Sequence, residues 1–108
     1  MIQERNKNYY CIVYQTDNVL LFVNKTYQER YEYSAYKCAE FKSKHAAKKA
    51  VHILAKAGHL ISCKGITEAD KYIMKHWLSQ TGFLFIREFY RDLLHIKIMH
   101  VTDRIKYC

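Results

Sequence analysis

Residues 42–64 read KSKHAAKKAVHILAKAGHLISCK, and this stretch constrains the fold more than any other. Its apolar residues recur at helical spacing. At about 100° per residue, Ala46, Ala47, Ala50, Val51, Ile53, Leu54 and Ala57 fall on one side. Lys42, Lys44, Lys48, Lys49 and Lys56, with His45, His52 and His59, fall on the other. A helix split in this way cannot run through the middle of a core. It must lie with one side on an apolar surface that the rest of the chain supplies.

The two ends of the chain supply that surface. Tyr9–Tyr14 (YYCIVY) and Val19–Val23 (VLLFV) are short β-branched and aromatic runs, and Asp17-Asn18 between them predicts a hairpin turn. Tyr27, Glu29, Tyr31 and Tyr33 alternate at period two, which predicts a third strand around residues 30–37. The basic helix should cover 44–57, with Ser43 as its N-cap and Gly58 as the first residue past its end. His59–Cys63 then reads as a short strand or an extended connection, and Gly65 as a turn. Thr67 should cap a second helix carrying Ile66, Ala69, Ile73 and Trp77 on its apolar stripe, stopped by Thr81-Gly82. Residues 83–94 fit a third helix through Ile86, Phe89, Tyr90 and Leu93. Leu94–Val101 alternates as a strand, with Leu94, Ile96 and Ile98 on one face, and the tail can extend it. The expected architecture is a single α+β domain over residues 1–108. It has an antiparallel sheet, made of the N-terminal hairpin plus the C-terminal strand, with two to three helices packed on one face.

Charge points to the partner. The formal net charge is +8, and no carboxylate lies between Phe41 and Thr67. Surface helices ordinarily place Glu against Lys at i,i+4, where each pair adds ~0.2–0.5 kcal/mol. This stretch has no such pair. Lys44, His45, Lys48 and Lys49 also crowd the N-terminal turns, where the helix dipole is positive and each exposed cation costs ~0.3–1 kcal/mol. Stability alone favours Asp or Glu there. The expected binding face is therefore Lys42, Lys44, His45, Lys48, Lys49, His52, Lys56 and His59, and its partner an anion. Nucleic acid is the leading candidate for that partner.

Other chemistry finds little support in the sequence. His45, His52 and His59 stand seven residues apart, ~10.5 Å of helical rise per step, too far for one metal ion. His59 and Cys63 with Cys38 or Cys108 would make a zinc set only if distant segments met. His95 and His100, with Lys97 and Arg104, give the alternative of a small metal-independent endoribonuclease. Tyr27, Tyr31, Tyr33 and Tyr36 with Lys25, Arg30 and Lys37 would either stack bases or pack across strands. The carboxylates form no paired motif, and no glycine-rich phosphate loop occurs. The expectation is a non-enzymatic protein with no catalytic residues, metal or cofactor.

The largely polar opening over residues 1–8 predicts no secretory signal. The four cysteines include no CxxC, so reduced thiols in a cytoplasm are expected. No apolar run approaches the ~18–20 residues of a membrane span. Tyrosine-rich strand edges leave a dimer open.

Two resemblances attach to these residues. A tyrosine-rich hairpin leads into Ala39-Glu40-Phe41-Lys42-Ser43-Lys44, then an alanine-rich helix over 46–57, and the chain closes near Ile96–Val101. In this it resembles small accessory proteins of bacteriophages. The resemblance implies host takeover or anti-defence activity in the cytoplasm of the bacterial host, and it brings no catalytic residues. Ser43, Lys44, Ala47 and Lys48 also resemble the opening of the last helix of a double-stranded-RNA-binding domain over residues 43–51, with His45 in place of the second lysine. That resemblance implies an RNA-binding module in which Lys44 and Lys48 contact phosphate and His45 does so more weakly.

Overall fold

Asp17 and Asn18 turn the chain between β1 (Gln3–Gln15) and β2 (Leu20–Val23), where the Thr16 N–H donates to the Val19 carbonyl at 2.9 Å. The structure, a computed structural model, describes residues 3–27, 29–32, 37–76 and 83–107. β1 starts well before the apolar run that signals it. Its polar first half pairs with β4 (Ile96–Tyr107) in an unbroken antiparallel register from Gln3↔Tyr107 to Tyr14↔Ile96. The third strand, β3, is only Arg30–Tyr31. Of the rest of the strand expected over 30–37, Glu32 already bends away and Lys37 lies in a turn, while residues 33–36, Tyr33 and Tyr36 among them, lie outside the described residues. The sheet order is β3-β2-β1-β4. Asn24 shapes the turn from β2 to β3: its side chain accepts from the Glu29 N–H at 3.2 Å and donates to Thr26 at 2.8 Å.

Alternation gives the sheet two apolar faces. Ile12 and Val23 look toward the helices and join their core. Tyr9, Cys11, Val13 and Phe22 gather in a second cluster with Cys38, flanked by Met99 and Val101. Cys38 reaches it because residues 37–41 run beside the sheet, forming bridges Asn24↔Cys38 and Tyr10↔Phe41. The Cys11 and Cys38 sulfurs lie 3.6 Å apart, both buried. The hydrogen bond to Cys38, and then burial, push the Cys11 thiol far above its ordinary range, so Cys11 keeps its proton.

Three helices cover the other face. α1 (Lys44–Cys63) opens on Ser43, whose hydroxyl accepts from the Ala46 N–H at 3.1 Å, as expected of its N-cap. It does not stop at Gly58. Gly58 is a buried interior residue of α1, and His59–Cys63 is the helix's last turn rather than a connection. The glycine is there for space: a Cβ on it would lie 2.4 Å from the Tyr90 Cβ and 2.7 Å from the Ile86 carbonyl oxygen. The true stop is Gly65, at φ +100, where the N–H groups of Lys64 and Gly65 both reach the Leu60 carbonyl.

α2 (Ile66–His76) begins one residue before Thr67, so Thr67 sits inside it rather than capping it. Ala69 and Ile73 carry its buried stripe, while Ile66 is exposed. Trp77, Thr81 and Gly82 lie outside the described residues. α3 (Phe83–Arg91) buries Phe85, Ile86 and Phe89 against α1. A single 3-10 turn, Leu93–His95, then leads into β4 and leaves Leu94 90 % exposed instead of inward. Among the described residues, no helix is long and apolar enough to cross a membrane.

Candidate anion-binding face

Burial of Ala47, Ala50, Leu54 and Ala57 fixes which way α1 faces. The opposite side follows from the helical repeat. Lys42, Lys44, His45, Lys48, Lys49, His52, Lys56 and His59 are all exposed. The basic face is thus one continuous surface, but it is not uniform. His45, His52 and His59 run along the crest opposite the buried alanines. Lys49 and Lys56 lie on one flank and Lys44 and Lys48 on the other.

Each flank meets a different neighbour. Lys49 borders a hollow of about 430 Å³ that it shares with Tyr27, Phe41, Ala46, Ala50 and Ile53. Tyr27 holds φ 57, in the left-handed region, and its burial raises the hydroxyl's pKa. Further along, the Lys56 ammonium lies over the Tyr72 ring at 5.2 Å. On the other flank, Lys44 and Lys48 share a hollow of about 370 Å³ with Val51, Ile96, Ile98 and Lys97. Lys97 borders the same hollow from about fifty residues away, although strand alternation puts it on the sheet face turned from α1. Nothing local in the sequence signals that meeting.

Electrostatics reinforce the position of the lysines. No acidic residue occupies the first turn of α1. The positive end of the helix dipole therefore adds to Lys44, His45, Lys48 and Lys49. Among the described residues, no carboxylate pairs with Lys44, Lys48, Lys49 or Lys56. Arg30 carries ion pairs elsewhere, meeting Asp92 at 3.4 Å and Glu88 at 3.8 Å.

The histidine and cysteine sets resolve into separate places. His59 and Cys63 do come together, one turn apart on α1, with Sγ 3.7 Å from Nδ1. The same Nδ1 lies 3.0 Å from the Tyr90 hydroxyl. Cys38 is not with them but against Cys11, and Cys108 lies outside the described residues. No group of three His, Cys, Asp or Glu converges among the described residues. His95 sits against Tyr14 and His100 against Tyr10, with ring centroids 5.5 and 4.9 Å apart. These tyrosines are four residues apart on one strand, about 14 Å. The two histidines therefore do not flank a common phosphate position. Arg30, one of the sequence's candidates for base stacking, is engaged over the Tyr14 ring at 4.3 Å. No protein-family model, curated protein or solved structure matches this chain.

Proposed function

We propose that the protein is a non-enzymatic binding protein of the bacteriophage accessory type, which docks through the basic face of α1 on nucleic acid, or on a host nucleoprotein or defence machine, and blocks it. One observation carries the reading. Lys42, Lys44, Lys48, Lys49 and Lys56 are exposed with no carboxylate between them, and all but Lys56 lie at the N-terminal end of the helix, where cations are least favourable. A face kept at that electrostatic cost is explained by a ligand that neutralises it. Nucleic acid supplies negative charge at the density that such a row of cations requires.

Salt dependence tests the reading. Direct binding to nucleic acid should weaken by about three decades between roughly 50 and 200 mM salt, if about six phosphates are neutralised. The double variant Lys48→Glu/Lys49→Glu should lose most of the affinity while its melting temperature stays unchanged or rises slightly, because acids near a helix N-terminus are favourable. A pull-down from bacterial lysate with and without nuclease separates a nucleic-acid ligand from a protein one. Retention of neither at low salt, or normal binding by the double variant, overturns the reading.

A further inference from the structure

β4 is the outermost strand of the sheet, and its second edge pairs with no strand among the described residues. Its pairing with β1 runs without a bulge over its whole length. Such an edge is straight and regular, a row of N–H and C=O groups ready for another strand. The opposite edge of the sheet is the two-residue β3, too short to serve the same purpose.

The hollow shared by α1 and β4 lies along this edge. Its apolar members are Val51, Ile96 and Ile98, all half-buried, and its polar members are Lys44, Lys48 and Lys97, all exposed. Among the described residues, no carboxylate lines it. Ile96 and Ile98 share the helix-covered face of β4, and Lys97, between them in sequence, belongs to the other face. An added strand would therefore meet cations on both of its faces and an apolar floor under one.

We propose that this edge takes an extended acidic segment of a partner protein as a fifth strand, with apolar side chains on Ile96, Ile98 and Val51 and carboxylates against Lys44, Lys48 and Lys97. Main-chain hydrogen bonds supply affinity in this mode of recognition, and the flanking side chains supply selection. A second copy of the chain fits poorly. Two-fold pairing of β4 with itself over its full length would set residues 96–98 opposite 105–107, with Lys97 against Lys106, and bring no carboxylate opposite them. A nucleic-acid backbone has no peptide groups to satisfy the edge. The inference goes beyond the basic face of α1 and does not require that face to bind nucleic acid.

The probe is a capped decapeptide of Glu and Val, with Glu at every second position for Lys97 and both Val and Glu on the alternate face for the apolar floor and for Lys44 and Lys48, compared with the same peptide N-methylated at alternate backbone nitrogens along its bonding edge. Recognition through backbone and charge needs no particular sequence, so this probe suffices. The amides of Ile96–Val101 that do not bond to β1 should exchange about tenfold more slowly when the peptide saturates the protein. N-methylation, and separately Lys44→Glu/Lys48→Glu, should each weaken binding about tenfold or more. Absence of binding at low salt, protection elsewhere than β4, or equal binding of the N-methylated peptide each overturns the proposal. Equal protection by an oligothymidylate of matched charge also overturns it and gives the groove to nucleic acid. Loss of nucleic-acid binding at α1 with β4 protection intact would sink only the reading above.

Discussion

Gly58 shows how one missing methyl positions two helices. Tyr90 and the Ile86 carbonyl occupy the space where its Cβ would stand, so α3 rests directly on the α1 backbone. Gly58→Ala should therefore destabilise the protein by about 1–3 kcal/mol through overpacking. That outweighs the ~1 kcal/mol that alanine gains over glycine in a free helix. Urea denaturation checks this, and a variant as stable as the parent would show that α3 rests elsewhere. The same residue explains an error in reading the sequence. A glycine after an apolar helical run signals either a helix end or a close crossing, and only the partner helix, some thirty residues later, decides which. The solvent-facing residues of α1 were legible because they follow from local periodicity alone. Their exposure depends only on the alanines being buried.

Among the elements, β3 is held less by its two-residue ladder than by Arg30. Its guanidinium lies over Tyr14 of β1 and reaches Asp92 at the end of α3, and its side chain is only 17 % exposed. The residue thus fastens the edge of the sheet to the third helix. Arg30→Lys should cost about 1–2 kcal/mol, because a lysine cannot both stack flat on the ring and reach the carboxylate. Glu88, largely exposed, contributes little of this. A fall in the urea midpoint with unchanged slope is the expected result. Sequence reading recovered the hairpin, the three helices and the final strand, since each has its own periodicity. It missed the first half of β1, because Gln3–Asn8 carries no apolar alternation and becomes a strand only by pairing with the far end of the chain. It placed the start of α2 late for a similar reason: Thr67 looks like a cap, but Gly65 already provides the turn.

For the molecule as a whole, what the sequence concealed is where separated segments meet. Lys97 beside Lys44 and Lys48, Tyr27 and Phe41 beside Lys49, and Cys38 against Cys11 are all products of the fold. The row of eight basic residues was visible in advance; its division into two flanks with different neighbours was not. The continuity of α1 adds a consequence of its own. His45, His52 and His59 repeat every seven residues along an unbroken helix, so the crest spans about 21 Å. The helix is in effect a ruler. A polyanion shorter than that length leaves some of its graduations empty, and a longer one gains nothing beyond the last. Duplex rises 3.4 Å per base pair, so the row is filled by about six base pairs. Across hairpin duplexes of about four to about twelve base pairs, affinity at fixed salt should climb steeply up to about six and then flatten. Titration by fluorescence anisotropy reads this directly. A continued climb through the series would mean that the ligand lies across the helix, and that some other dimension of the surface sets the measure.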